Sequence, residues 1–326
     1  MRWQMIQRED KYFILDVPRE LGLRYYIREL RKNLKLPCLR WKLEKLAPKD
    51  MGEKKYNVSV CAIFRNEAPY LKEWIEFHKI VGVEHFYVYN NFSNDNYKEV
   101  LWPYVEDGIV DLVEWPYDQG QMRAYEDCLT KYSGQTKWIG FIDLDEFVVP
   151  VKYDSIYEFL SKFEKSRPSV LIYWRLFGTS GKLDRDRDTL ITEEFTSCWP
   201  KYDTVGKCFF NTKYKYEYDG KYNTDMHAFW GKCKGIFLPP VNFEDRMVVG
   251  GRNIVHTDDF PIQINHYFTK TYQEYLEKVS RGDAFFSLNP RNEAYFYRHD
   301  MLCTGQETKI YKYLIKLKLA MKGNAE

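Results

Sequence analysis

The seven cysteines of this 326-residue chain include no Cys-x-x-Cys pair. Odd in number and widely spread, they predict neither a zinc knuckle nor a disulfide framework, and reduced, mostly buried thiols in a cytoplasmic protein are the default reading. No apolar run approaches the roughly 20 residues that a membrane span needs. The first ten residues carry Arg2 and Arg8 without an apolar stretch, so no cleavable secretory signal is expected. An excess of one charge is lacking too: 49 basic and 47 acidic side chains leave a net +2, which does not indicate a nucleic-acid binder with a dominant basic face. Nothing repeats internally and no segment is low-complexity. Aromatic residues are abundant, at 17% with 27 tyrosines. They can stack on sugars at a surface, but core packing is the simpler use. The length suits one large α/β domain or two small ones.

Three regions differ in texture. Residues 1–55 form a basic N-terminal extension, dense in Lys and Arg from about residue 19 and interrupted by Pro37 and Pro48. It is expected to lie against the domain or against a surface. Residues 56–285 carry the regular pattern. Val58–Phe64 is a short apolar run typical of a buried strand. Asn66 offers an N-cap, Glu67 suits the positive end of a helix, and Pro69 is tolerated in its first turn. Tyr70, Leu71, Trp74, Ile75, His78 and Val81 follow at helical spacing. Further strands are expected at His85–Tyr89, Ile109–Trp115, Trp138–Ile142, Val170–Phe177 and Ile262–Phe268. A helix is expected at Gln121–Tyr132, and Thr271 can cap another that runs through Arg281 and closes at Gly282. Residues 286–326 form a helical tail, basic and amphipathic. There Ile310, Tyr313, Leu314, Leu317 and Met321 share one face, which either packs on the domain or lies on an anionic membrane surface.

Alternating strands and helices with short connections predict an α/β fold with a mostly parallel sheet. In such sheets ligands bind outside the carboxyl ends of the strands. The polar clusters Arg65-Asn66-Glu67, Asn90 to Asp95, Asp118 to Gln121 and Asp143 with Asp145 all fall at those ends.

Asp-x-Asp occurs three times. Asp184/Asp186 and Asp186/Asp188 alternate with Arg185 and Arg187, and read as a solvated, self-neutralised charge run. Asp143 and Asp145 follow a hydrophobic strand, and period-two alternation would project both from its end. Two close carboxylates repel unless a cation neutralises them. Mn²⁺ or Mg²⁺ held by one or two carboxylates completes its shell with phosphate oxygens and water. Alternatively, Asp143 caps a helix and Asp145 pairs with a basic side chain.

The run Cys61-Ala62-Ile63-Phe64-Arg65-Asn66-Glu67, the segment Tyr70–His78, Gln121 with Asp127-Cys128, Trp138–Phe147, Arg175–Gly181, Lys207, and Ile264–Lys270 with Lys278 and Arg281-Gly282 together resemble glycosyltransferase family 92 and related DUF23-type enzymes. The resemblance spans about residues 58–283. It implies a GT-A fold, a nucleotide-diphosphate sugar donor and a metal-dependent transfer that inverts the anomeric carbon. A UDP-sugar is the expected donor, with galactose the first sugar to test, and the acceptor a glycan or a lipid-linked glycan. On this reading Asp145 holds the metal, with Asp143 helping through the ion or the ribose. His266 is a third ligand or else a hydrogen-bonded buried histidine. Lys270 meets the diphosphate. Arg65, Asn66, Glu67 and Asp95, with Gln121, hold the donor, although capping and turn formation would also account for Asn66. Inversion needs a base for the acceptor hydroxyl. Asp245, Glu244, Asp225 and His227 are candidates, Asp245 first, and His227 could instead bind the metal.

A nucleotidyltransferase acting on a sugar phosphate is the alternative, although Phe64-Arg65-Asn66-Glu67 lacks the glycine-rich loop such enzymes usually place after the first strand. A non-catalytic sugar-binding relative is the other. The expected location is cytoplasmic, with peripheral contact at the inner face of the cell membrane through the basic tail.

Overall fold

The computed structural model describes residues 12–14, 23–49, 52–218, 222–223, 227–249, 255, 257–282 and 291–323. Within them the first half runs β1 (Phe13–Ile14), α1 (Leu23–Lys45), β2 (Tyr56–Phe64), α2 (Ala68–Ile80), β3 (His85–Asn90), α3 (Tyr97–Glu106), β4 (Val110–Glu114), α4 (Gln121–Tyr132), β5 (Thr136–Phe141), β6 (Glu146–Pro150) and α5 (Ile156–Leu160). There follow β7 (Ser169–Leu176), α6 (Ile191–Glu194), β8 (Ser197–Cys198), β9 (Tyr202–Asp203), β10 (Gly206–Asn211), β11 (Gly231–Cys233) and β12 (Ile236–Leu238). The last described elements are β13 (Ile262–His266), α7 (Tyr272–Ser280), α8 (Glu293–Met301), β14 (Gly305–Gln306) and α9 (Leu314–Lys322).

Eight strands form the central sheet in the order β4-β3-β2-β5-β10-β7-β13-β6. β4, β3, β2 and β5 pair in parallel. β10 enters antiparallel between β5 and β7, β13 continues parallel to β7, and β6 closes the edge antiparallel. Six of the eight strands therefore point the same way, in the α/β, GT-A arrangement that the resemblance implies. The run from Val58 to Phe64, apolar apart from Ser59, is buried throughout, because helices cover both faces of a parallel sheet. Its register with β3 and β5 puts the ends of β2, β3 and β5 on one rim. The ends of β7 and β13, and the amino ends of β10 and β6, join them there.

One local reading needs correction. The N-cap of α2 is Glu67, not Asn66, and it makes no side-chain cap bond. Instead the Asp95 carboxylate, arriving from the loop after β3, accepts from Ala68 N–H at 2.9 Å. Asn66 adopts φ 51°, a left-handed conformation that asparagine tolerates better than most residues. By contrast α7 starts as expected: Thr271 and Glu274 form a capping box, and Gly282 follows the helix at φ 84°.

The described parts of the N-terminal extension and of the tail both attach to this sheet domain. The tail begins as a 3-10 turn at Lys309–Tyr313 and continues as α9 against α2. Ile310, Tyr313 and Leu317 are buried in the main core, and the rings of Tyr313 and Phe77 meet edge-on at 5.8 Å. The tail's apolar stripe is thus used on the domain. Burying each such side chain contributes roughly 1.5–3 kcal/mol.

Candidate active site

Residues 142–145 leave the sheet as a turn, so strand alternation does not govern Asp143 and Asp145. The turn locks on itself: Glu146 N–H donates to Asp143 O, and Asp143 N–H to the Glu146 carboxylate, each at 3.0 Å. The Trp74 indole N–H from α2 reaches Asp143 O and Glu146 O, also at 3.0 Å. As a result the two aspartates take different partners. Asp143 accepts from Lys207 Nζ at 2.8 Å and lies 3.3 Å from Gln121 Nε2 and Tyr125 OH. Asp145 is buried, accepts from Lys278 on α7, and lies 3.6 Å from His266 Nε2.

Charge follows this division. Burial alone would raise the Asp145 carboxyl, but Lys278 and His266 hold it well below the usual carboxylate range. Glu146 moves the opposite way, pushed up by burial and by Asp143 and Asp145 although Lys207 opposes the shift. His266 is buried against Trp174, with ring centroids 4.7 Å apart, and burial lowers its pKa. Its Nδ1 has no hydrogen-bond partner among the described residues, so it is not the fully hydrogen-bonded core histidine of the alternative reading. Among those residues no three His, Cys, Asp or Glu side chains converge on one point. Asp143 therefore stands apart from the pair formed by Asp145 and His266.

Beside Asp145 lies a cavity of about 230 Å³ whose walls include Tyr70, Arg187, Lys270, Glu274, Lys278 and Arg281. Lys270, at φ 52° just after β13, is 3% exposed. Its ammonium sits 4.5 Å from the centre of the Tyr70 ring and takes no hydrogen bond among the described residues. Burial lowers its pKa to about 8, even with Asp145 nearby. Arg281 donates to Asn66 O at 3.1 Å and to Glu67 at 2.5 Å. Glu274, held down at about 2 against its burial by Lys270 and Arg185, accepts from the Tyr70 hydroxyl at 2.9 Å.

The other predicted donor contacts divide. Asn66 lines the cavity, and Glu67 is tied to it through Arg281. Asp95 uses one oxygen on the α2 backbone while its Oδ1 is buried and unpartnered among the described residues. Gln121, the first residue of α4, is joined to Tyr125 OH at 2.9 Å and to Asp143. Arg65 is exposed and lies 5.8 Å over the Phe92 ring.

Asp245 does not join this rim. It sits in a turn bonded to Arg167, which precedes the amino end of β7, whereas Asp145 lies at the carboxyl end. Arg167 grips both its oxygens and Arg40 of α1 adds a contact at 2.6 Å, so its carboxylate is committed to holding α1. Glu244 shares the turn and pairs with Arg246 at 3.1 Å. Asp225 lies outside the described residues. His227 is closer to the chemistry: the Trp174 ring contacts it at 5.0 Å and His266 at 4.7 Å.

The charge run 184–188 also turns inward. Arg185 bonds Glu274 at 3.2 Å, and Arg187 reaches Tyr70 OH at 3.1 Å and Glu277 at 3.0 Å. Asp184 and Asp186 instead accept from the backbone N–H of Arg185 and Asp188. Asp residues close turns in this way, which frees interleaved arginines for distant partners. Arg187 and Tyr70 are pocket residues that sequence spacing did not single out.

These elements define an α/β protein whose strand ends carry a pocket lined by four cationic and two acidic side chains. The profile of glycosyltransferase family 92 matches residues 54–283, and the chain belongs to that family. It is 33% identical over 97 residues to a glycosyltransferase family 92 protein of Ricinus communis, covering 29% of this chain and 18% of that protein. It is 30% identical over 190 residues to the beta-1,4-galactosyltransferase galt-1 of Caenorhabditis elegans, covering 49% of this chain and 41% of that one. The chain thus spans less than half the length of these relatives. Among solved structures, S. aureus TarS residues 1–349 aligns at 13% identity with TM-score 0.34, covering 48% of this chain and 47% of that chain. At that score the fold rests on the strand order described above.

Proposed function

We propose that this chain transfers a sugar from a nucleoside diphosphate donor to a glycan hydroxyl, with the diphosphate bound in the pocket of Arg187, Lys270, Lys278 and Arg281. The observation that carries this is Lys270: a buried ammonium without a hydrogen bond among the described residues, beside a cavity that other cations line. Burying an ammonium without a hydrogen bond is costly, and a phosphate oxygen would repay it. Relatives named as galactosyltransferases support UDP-galactose as the first donor to test.

Asp145 Oδ1 and His266 Nε2, 3.6 Å apart, fit as two ligands of a divalent ion with bonds of about 2.1 Å. Donor oxygens and water would supply the remaining positions. When bound, Mn²⁺ or Mg²⁺ neutralises charge on the leaving diphosphate. The residues around it do the rest. Lys207 and Gln121 fix Asp143 toward α4, where it can meet donor hydroxyls. Lys278 is released from Asp145 to the phosphates, and Tyr70 with Arg187 closes the far wall. For inversion, His227 is favoured over Asp245 as the base, because it shares Trp174 with His266. Its Nδ1 faces the Gly206 carbonyl at 3.0 Å and must donate there, which fixes the orientation of the ring.

Titration calorimetry with UDP and with GDP, each with and without Mn²⁺, tests the reading. UDP should bind to wild type, and Lys270→Met should weaken it. If neither nucleotide binds, or if Lys270→Met binds as well as wild type, the assignment fails.

A further inference from the structure

Helix α1 carries two different faces. Toward the domain, Leu43 is buried and Leu36 and Leu39 are half-buried, while Arg40 and Glu44 are tied to Asp245 and Arg167. Away from it stand Ile27, Leu30, Leu34 and Trp41, which are 40%, 61%, 72% and 59% exposed. At about 100° per residue these four fall within about 60° of arc, a narrow and continuous stripe. Arg31 and Lys35, both exposed, flank it on one side.

The helix contains eight basic and two acidic residues, a net +6. The whole chain is only +2, so the remainder is net negative. That asymmetry selects the occupant of the stripe. A second copy would set two helices of the same sign face to face, at an electrostatic cost. A nucleic acid would satisfy the charge but leave Ile27, Leu30 and Leu34 unused. An apolar stripe with a tryptophan and a basic flank matches the boundary of an anionic bilayer, where side chains enter the acyl region and lysine and arginine meet headgroups.

We propose that α1 is an interfacial helix that seats the domain on an anionic lipid surface, with Ile27, Leu30, Leu34 and Trp41 inserted and Arg31 and Lys35 at the headgroups. The docking surface does not depend on which reaction the pocket performs. It also sets an orientation. Arg40 and Glu44 fasten α1 to the sheet rim bearing Arg167, and the pocket lies on the other rim. The pocket is therefore not on the rim to which α1 is fastened.

The full chain is sedimented with vesicles of mixed phosphatidylglycerol and phosphatidylcholine, and with phosphatidylcholine alone. Binding is expected with the mixed vesicles, much weaker with the neutral ones, and reduced by salt. Leu30→Glu with Leu34→Glu should weaken it at least roughly tenfold, because both the apolar contact and net charge are lost. Arg31→Glu with Lys35→Glu, which leaves the stripe intact, should weaken it by charge alone. Ile315→Glu with Leu319→Glu, on the exposed side of α9, should leave it unchanged. The proposal is overturned by absence of binding to anionic vesicles, by equal binding of the Leu30/Leu34 variant, or by loss of binding in the α9 variant. A dimer on size exclusion that the Leu30/Leu34 changes dissociate would assign the stripe to a second copy and overturn it equally.

Discussion

The two rims of the central sheet each set a carboxylate among cations, and they finish the pairing differently. On the amino-end rim of β7, Asp245 is met by Arg167 and Arg40, and Arg167 also takes Glu44. Guanidinium forks satisfy carboxylate oxygens in a fixed geometry, so that network is closed and fastens α1. On the opposite rim Asp145 is met by lysine and histidine, and Lys270 beside it has no hydrogen bond among the described residues. Lysine is a point charge on a flexible stem and can change partners. One rim is built as a clamp, and the other keeps the Lys270 ammonium without a hydrogen bond among the described residues.

Single substitutions should break this contrast in opposite directions. The largest effect is expected at Asp145. Asp145→Asn should reduce release of UDP from UDP-galactose by at least about 10³-fold, the scale of a lost charge-stabilising group, and should also lower the melting temperature, because the buried carboxylate that Lys278 and His266 stabilise is lost. Next, Lys270→Met should cost about 10–100-fold in UDP affinity by calorimetry, the value of a charge-assisted hydrogen bond. The melting temperature should change little, since relief of the ammonium's burial offsets the loss of its attraction to Asp145 and Glu274. The clamp should behave the other way. Asp245→Asn leaves Arg167 buried with one acidic partner fewer, and should lower unfolding free energy by about 2 kcal/mol in urea, discounted from a fully buried pair because Asp245 is partly exposed. Its UDP affinity should be unchanged. A loss of turnover in Asp245→Asn equal to that in Asp145→Asn would restore Asp245 as a base and erase the distinction.

The sequence showed the rim that carries the pocket more clearly than the rim that carries the clamp, for physical reasons. Strand ends are marked by a change from apolar runs such as Trp138–Ile142 to polar residues, and that change locates Asp143, Asp145, His266 and Lys270 on one edge. The capping box at Thr271 and Glu274 is equally local, and it was legible. Which way a side chain turns once the strand has ended is not local. Asp143 and Asp145 diverge because Trp74, from another helix, pins the turn. Arg185 and Arg187 find Glu274 and Glu277 some 90 residues along the chain, a distance no spacing rule reaches. Asp245 looked catalytic because an acidic pair in a turn is the same pattern whether its partners are substrate or arginine.

The smallest predicted effect separates both rims from the core between them. His78 on α2 is buried, its Nδ1 faces Trp74 O at 2.8 Å, and its Nε2 faces Val148 N–H at 3.3 Å. A carbonyl can only accept and an amide can only donate, so the ring is neutral with its proton on Nδ1, and a second proton would set two donors against each other. Burial accordingly lowers its pKa from 6.5 to about 3. Because the folded value lies below the unfolded one, the unfolded chain binds more protons between those limits. This contribution is therefore complete above pH 6.5 and declines as pH falls. Near pH 5.5 the loss from His78 is about 1.4 kcal/mol, one unit of protonation free energy. His299, lowered by burial to about 4, adds a loss of the same sign, so the measurement is the difference between wild type and His78→Gln in urea unfolding across pH 7.5 to 5. The variant should start less stable and lose less on acidification. Glu274 on the ligand rim, held at about 2, contributes stability that is lost only as pH falls below 4.5. Asp245 on the clamp is likewise lowered, against its burial, by Arg167 and Arg40. Identical pH slopes for wild type and His78→Gln would move the acid sensitivity out of this part of the core.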